Sequence, residues 1–237
     1  MKYNKIGIIC AMKTEAEQIL AAMTEAEAKT VGSMEFHLGT IGEKDVILCV
    51  CGIGKVFAAM CAQTMILAFS PDCIINSGVA GSLTDALEIL DVAVAEDLVQ
   101  HDMDTSPLGD PVGLISGINR VSLPADGALV REICSAASEL GISTRRGRIA
   151  SGDQFIAAPA QKERIKAQFD PIACEMEGAA IAQAAFVAGI PFACIRAISD
   201  SYSGKNEMDY ARFATEAARR GASLLIKVLE NERSRPF

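Results

Sequence analysis

Three acidic side chains stand at places where an apolar scaffold can present chemistry. Glu177 lies in Cys174-Glu175-Met176-Glu177-Gly178-Ala179-Ala180, and Asp200 follows 23 positions later, closing Arg196-Ala197-Ile198-Ser199-Asp200. Glu15 comes just after the first apolar run, in Gly7-Ile8-Ile9-Cys10-Ala11-Met12-Lys13-Thr14-Glu15. Carboxyl groups sharing a cleft can do opposite work: one stays ionised and faces developing positive charge, and another holds a proton for a leaving group. Each acid also has a purely structural reading. Glu177 falls in the first turn of a helix pattern, where the dipole favours an acid and keeps it ionised. Asp200 could cap a turn, and Glu15 could be a solvated helix residue.

The other motifs are weaker. Gly52-Ile53-Gly54-Lys55 follows a strand pattern and opens a helix, a place where backbone amides attract anions. It fits neither standard phosphate fingerprint, because Phe57 stands where a dinucleotide loop needs glycine, and Cys49 and Val56 stand at key Walker positions. Ser77-Gly78-Val79-Ala80-Gly81-Ser82 ends the most apolar strand and reads either as a glycine-rich turn or as a place of close ligand approach. In Ser151-Gly152-Asp153-Gln154-Phe155, the Phe155 ring could stack on a flat ligand or fill the core. His101-Asp102-Met103-Asp104 has metal-ligand spacing, but His37 is the sole other histidine, so an Asp–His hydrogen bond ordering a loop is the favoured reading.

The elements that must position these residues alternate between buried-type strands and helices. Strands are predicted at Lys5–Ala11, Asp72–Ser77, Val92–Val99, Gly147–Ser151, Ile172–Glu175 and Pro191–Ser199. A hairpin joins Glu35–Ile41 to Asp45–Cys51 around Gly42-Glu43-Lys44. Helices are predicted at Thr14–Ala28, Lys55–Phe69, Ala125–Glu139, Ala160–Phe169, Glu177–Ala188 (ended by Gly189) and Asp209–Leu229, with a long loop over Leu108–Val121. Apolar strands interleaved with helices imply an α/β fold with a mixed central β-sheet flanked by helices on both faces, in one domain spanning residues 1–237. Such sheets bind ligands beyond the carboxyl ends of their strands, where the three acids fall.

Composition narrows the function. Half the 237 residues are hydrophobic, and the formal charge is −8. With no extended basic run, nucleic acid is not expected as a partner. Cys10, Cys49, Cys51, Cys73, Cys174 and Cys194 sit inside apolar runs, where cysteine packs as a small hydrophobe. Without a Cys-x-x-Cys pair, a zinc site is not expected. The start does not read as a signal peptide, and no apolar stretch is long enough to span a bilayer, so a reducing cytoplasm is the expected home. The tail from Asn231 is expected to be loosely ordered.

Taken in order, these segments resemble the 5′-methylthioadenosine/S-adenosylhomocysteine nucleosidases of the purine nucleoside phosphorylase superfamily. The likeness runs from the first strand with Glu15, through Gly52-Ile53-Gly54-Lys55-Val56, Ile75 to Gly81, His101 to Asp104 and Ser151-Gly152-Asp153, to Glu175-Met176-Glu177 and Arg196 to Asp200. It implies a nucleoside phosphorylase-like, three-layer αβα fold, hydrolysis of the N-glycosidic bond between adenine and a 5′-thio-substituted ribose, and a place in methionine salvage. It also implies roles. Asp200 would protonate adenine N7 with its pKa raised by burial, Glu177 would face the ribosyl cation, and Glu15 would deprotonate the attacking water. Met176 would pack on the sugar, Arg196 would order Glu177 or the water, and Phe155 with the backbone of Ile156 would hold adenine beside Ser199. Tyr210 would close over the ligand, with Ala11, Met12 and Val79 lining the site. No metal or organic cofactor is implied. A homodimer is, with the 101–113 loop of one subunit reaching the 5′ pocket of the other. Val79 stands where relatives often carry a hydroxyl, and Leu108 replaces a common aromatic. A phosphate-dependent phosphorylase, a non-catalytic nucleoside-binding protein and a dinucleotide-dependent oxidoreductase are the competing readings, the last disfavoured by Phe57.

Overall fold

In a computed structural model, which describes residues 2–202 and 206–231, ten strands and six α-helices alternate along the chain. The strands are β1 (Lys5–Cys10), β2 (Thr24–Val31), β3 (Met34–Ile41), β4 (Lys44–Val50), β5 (Cys73–Ser82), β6 (Val92–Gln100), β7 (Ser122–Pro124), β8 (Thr144–Ser151), β9 (Ala173–Glu175) and β10 (Phe192–Asp200). The helices are α1 (Lys13–Ala22), α2 (Lys55–Phe69), α3 (Gly127–Glu139), α4 (Pro159–Phe169), α5 (Gly178–Ala188) and α6 (Asn206–Glu230). Residues 232–237, where a loose tail is expected, lie outside the described residues.

All ten strands join one mixed sheet, in the order β10-β6-β8-β9-β5-β1-β4-β3-β2, with β7 on β6. β10 also pairs in parallel with β5, so one end of the sheet closes into a ring of five strands while the β1-β4-β3-β2 end stays open. Alternation along β1 explains the layering. Ile6, Ile8 and Cys10 enter the core beneath α1, α3 and α6, and Ile9 enters the opposite core beneath α2 and α5. A third cluster, including Ile156, Ile165 and Cys174, seats α4 on the closed end. The mixed sheet with helices on both faces is therefore as the sequence predicts. Among the described residues, no helix is long and apolar enough to cross a membrane.

Two local expectations are corrected. The helix predicted over Thr14–Ala28 ends at Ala22, and its second half is β2, an edge strand antiparallel to β3. Thr24–Val31 is rich in alanine and glutamate and is exposed almost throughout, so it carries no buried alternation to signal a strand. Met23 turns extended, Glu25 takes φ 54°, and hairpin pairing overrides helix propensity. The segment Ser77–Ser82 is no turn: it continues β5, paired to β10 and then to β9. The long loop is as expected: a short 3₁₀ turn at Ser106–Leu108 leads into it, and it carries an isolated bridge between Ile115 and Arg120 before β7.

Candidate active site

The carboxyl ends of β1, β5, β9 and β10 surround a cleft with about 530 Å³ of empty space, part of it open to solvent. Glu15, Glu177 and Asp200 all line it, and all three are buried. Each is held differently.

Glu15 is no solvated helix residue. Its Oε2 accepts from the amides of Ala11 and Met12, both at 2.9 Å, and its Oε1 accepts from the amide of Val79 at 3.0 Å. Burial pushes its pKa up, and Arg196 and the three amides act against that rise. Asp200 is the last residue of β10, and its Oδ1 accepts from the Ser199 hydroxyl at 3.1 Å. Burial raises its pKa too, the direction expected of a proton donor, while Lys162 pulls it down.

Glu177 differs from the sequence reading in a way that matters. It is the N-cap residue of α5, yet its side chain does not cap that helix. Its Oε1 instead accepts from the amide of Gly54 at 2.8 Å, at the start of α2. The α5 amides are served by Glu175, whose Oε2 accepts from Glu177 and Gly178 at 3.0 and 2.7 Å. The expectation that a dipole keeps Glu177 ionised is therefore corrected: burial, then the neighbouring Glu175, push its pKa to about 7 against the pull of Arg196 and Gly54.

Arg196 is fully buried beneath the cleft. Its Nη2 pairs with Glu175 and with Asn76 Oδ1, and lies 3.8 Å from Glu177 Oε2. It thus lies beside Glu177, but Glu175 is its nearer carboxylate. Burial alone would lower its pKa; Glu175, Glu177 and Glu15 outweigh that and keep it charged. The glycines of β5 make this possible. A Cβ on Gly78 would collide with Arg196 Nη1 and lie 2.7 Å from Glu15 Oε1, and one on Gly81 would lie 2.8 Å from Asp200 Oδ2. The close approach that small residues permit here is made by the protein's own acids.

Met12, Ala11 and Val79 line the cleft beside Glu15, and Met176 and Ser199 line it between the other two acids. Phe155 is half exposed rather than a core ring, and meets Tyr210 edge-on with centroids 5.4 Å apart. Ile156 borders the adjoining recess with Asp200 and Lys162. The expected Asp–His bond is absent. Asp102 accepts from Lys55 Nζ at 2.6 Å and from the Asp153 amide at 2.9 Å, while both ring nitrogens of His101 are buried without a hydrogen-bond partner. Among the described residues no group of three or more His, Cys, Asp or Glu could hold a metal ion. The sequence reading did not single out Glu175, Asn76, Ser151 or Lys162. Glu175, Ser151 and Asn76 lie within the segments that carry the chemistry; Lys162 carries no signal in its polar helix.

Two of the amides at the start of α2 that invited an anion already donate to carboxylates. Gly54 N–H donates to Glu177, and Lys55 N–H donates to Asp153 Oδ1 at 2.7 Å.

Known proteins resemble this chain over nearly its whole length. A family model described as the phosphorylase superfamily matches residues 5–230. A 5′-methylthioadenosine/S-adenosylhomocysteine nucleosidase of Shewanella sp. (strain W3-18-1) is 36% identical over 228 residues, which cover 95% of this chain and 98% of that one. The S-adenosylhomocysteine nucleosidase of Streptococcus pyogenes, solved with 5-methylthiotubericidin, superposes with a TM-score of 0.92 at 36% identity, covering 100% of this chain and 99% of that one. The futalosine hydrolase of Helicobacter pylori superposes with a TM-score of 0.91 at 35% identity, covering 96% and 97%. The chain belongs to the phosphorylase superfamily, among its 5′-methylthioadenosine/S-adenosylhomocysteine nucleosidases, and is an N-glycosyl hydrolase.

Proposed function

We infer that the chain hydrolyses 5′-methylthioadenosine and S-adenosylhomocysteine to adenine and the 5′-thio-substituted ribose, with Asp200 as acid, Glu177 facing the ribosyl cation and Glu15 as base for water. The observation that carries this reading is the meeting of three separately held carboxyl groups on one cleft. Adenine leaves poorly as an anion, so a carboxyl group whose hold on a proton is strengthened by burial favours breakage of the N-glycosidic bond by passing that proton to N7. The cation left behind is best met by a carboxylate, and a ligand bearing positive charge would draw the Glu177 proton off. Glu15, anchored on three amides, can orient a water and take its proton. Each such group contributes roughly 10²–10⁴-fold.

Water rather than phosphate is favoured as the nucleophile, because two amides at the start of α2, those of Gly54 and Lys55, already donate to Glu177 and Asp153. A phosphate dianion would meet two carboxylates there. 5′-Deoxyadenosine and a futalosine-type nucleoside remain substrates to compare, since a futalosine hydrolase superposes as well as the nucleosidases do.

A homodimer is part of this proposal. Val56, Phe57 and Met60 of α2 are 70%, 53% and 49% exposed, and Leu108, in the loop expected to reach a second subunit, is 83% exposed. An apolar helix face beside the cleft suits burial against another copy. Seven of the eight cysteines are buried as free thiols, which suits the reducing cytoplasm where methionine salvage would operate.

The test is a panel of these nucleosides in phosphate-free buffer, with free base measured by chromatography. Adenine release without phosphate is expected, with Glu15→Gln and Asp200→Asn folded but inactive. Strict dependence on phosphate, or full activity in both variants, would refute the mechanism.

A further inference from the structure

A buried cation stands behind the acid end of the cleft. Lys162, on α4, is 2% exposed and borders the recess shared by Met176, Ile156 and Asp200. Its Nζ donates to the carbonyl of Ser201 at 2.8 Å and to that of Tyr202 at 3.2 Å, and lies 3.9 Å from Asp200 Oδ2. The neighbouring Glu163 accepts from the Tyr202 hydroxyl, and the Tyr202 ring centroid lies 5.6 Å from the Lys162 ammonium. α4 therefore fastens the backbone that leaves β10 immediately after the acid.

Burying an ammonium group is costly, and an apolar residue would fill the space more cheaply. The charge calls for an explanation at Asp200. Among the described residues, the groups facing that carboxyl are the Ser199 hydroxyl on β10, Cys174 and Glu175 on β9, Asp209 and Tyr210 on α6, and Lys162 on α4. Of these described groups Lys162 alone is positive. A general acid must hold its proton in the empty site and yield it to the leaving base, so its acidity has to be matched from both sides.

We propose that Lys162 is a positioning residue for the reaction: its ammonium fixes the Asp200 carboxyl and the Ser201–Tyr202 backbone behind it, and makes Asp200 readier to pass its proton to the departing base. This rests on the reading of Asp200 as the acid. Burial raises the carboxyl's pKa and Asp209 adds to that rise, while Lys162 opposes it. Burial lowers the pKa of Lys162 itself, and Asp200 opposes that in turn. The pair balances affinity for the proton against willingness to release it.

The experiment separates this role from simple packing. Lys162→Gln removes the charge but keeps a donor for the two carbonyls, Lys162→Met removes both at similar volume, and Lys162→Arg keeps the charge. The Asp200 carboxyl is titrated by carbon NMR in the substrate-free protein, its resonance assigned by loss in Asp200→Asn, and kcat and KM are measured across pH. Both uncharged variants are expected to move the titration and the alkaline limb of kcat to higher pH by at least about one unit, the worth of a unit charge at 3.9 Å in water and so a lower bound for this buried pair. They should lower kcat more than they raise KM, and Lys162→Arg should restore the profile. An unshifted titration in either folded uncharged variant overturns the role of Lys162. A shifted titration with an unmoved alkaline limb overturns proton delivery by Asp200 instead. Either uncharged variant suffices if the other fails to fold.

Discussion

Gly81→Ala places one methyl group whose three nearest neighbours all belong to the acid. The added Cβ would lie 2.8 Å from Asp200 Oδ2, 3.1 Å from Oδ1 and 3.2 Å from Cγ, where ordinary contact begins at 3.4 Å. The carboxyl must therefore give by about 0.6 Å, and it cannot withdraw freely, because Ser199 and Lys162 hold it from the other sides. Misplacing a catalytic group by about 1 Å can cost on the order of 10²-fold, so kcat is expected to fall roughly 10²-fold, about 2.7 kcal/mol of barrier. Alanine suits a strand interior better than glycine, by roughly 0.5–1 kcal/mol, which offsets part of the crowding in the stability of the fold. The assay is adenine release from 5′-methylthioadenosine followed by ultraviolet absorbance, with melting temperature measured alongside. The double variant with Asp200→Asn should be no slower than Asp200→Asn alone, since both changes act on one group. A Gly81→Ala enzyme within about threefold of the parent, or a double variant far slower than Asp200→Asn, would refute the reasoning.

The same geometry makes three further predictions. Folded Glu177 titrates at about 7 against an ordinary 4.5, so between those values the native state keeps a proton the unfolded chain has lost. Its contribution, up to about 3 kcal/mol, is full below pH 4.5 and is lost as pH rises through 7. Glu177→Gln should therefore melt higher than the parent above neutral pH while losing turnover, and calorimetry giving the same or a lower melting temperature would contradict the burial argument. Glu175→Ala strips Arg196 of its nearest carboxylate and should cost about 3–5 kcal/mol in urea denaturation, and a loss below about 1 kcal/mol would deny the pair its structural weight. On the proposal of a homodimer packed through α2, Val56→Asp with Met60→Asp should give a monomer in sedimentation velocity where the parent is a dimer, and raise KM; a monomeric parent would refute the dimer, and an unchanged sedimentation coefficient would remove α2 from its interface.

Sequence legibility followed the physics of burial. α2 was legible to its last residue because strand, glycine turn and helix differ sharply in composition there. β2 was not, because an exposed edge strand has no apolar face to announce it. Glu15, Glu177 and Asp200 were legible as carboxyl groups at strand ends, but their partners were not, since which amide a carboxylate takes depends on contacts across the fold. Glu177 lies 123 positions from Gly54, and Arg196 lies 120 from Asn76. Gly78 and Gly81 read as room for a ligand because sequence gives no sign that Asp200 and Arg196 already use that room.

The eight unpaired cysteines set a practical limit on handling. In the native state burial raises the pKa of thiols such as Cys10 and Cys194 and keeps them unreactive, but one unfolding event brings every sulfhydryl into solvent together. In air, random crosslinks between chains would then compete with refolding, so heat inactivation would be a one-way process whose rate a reductant slows.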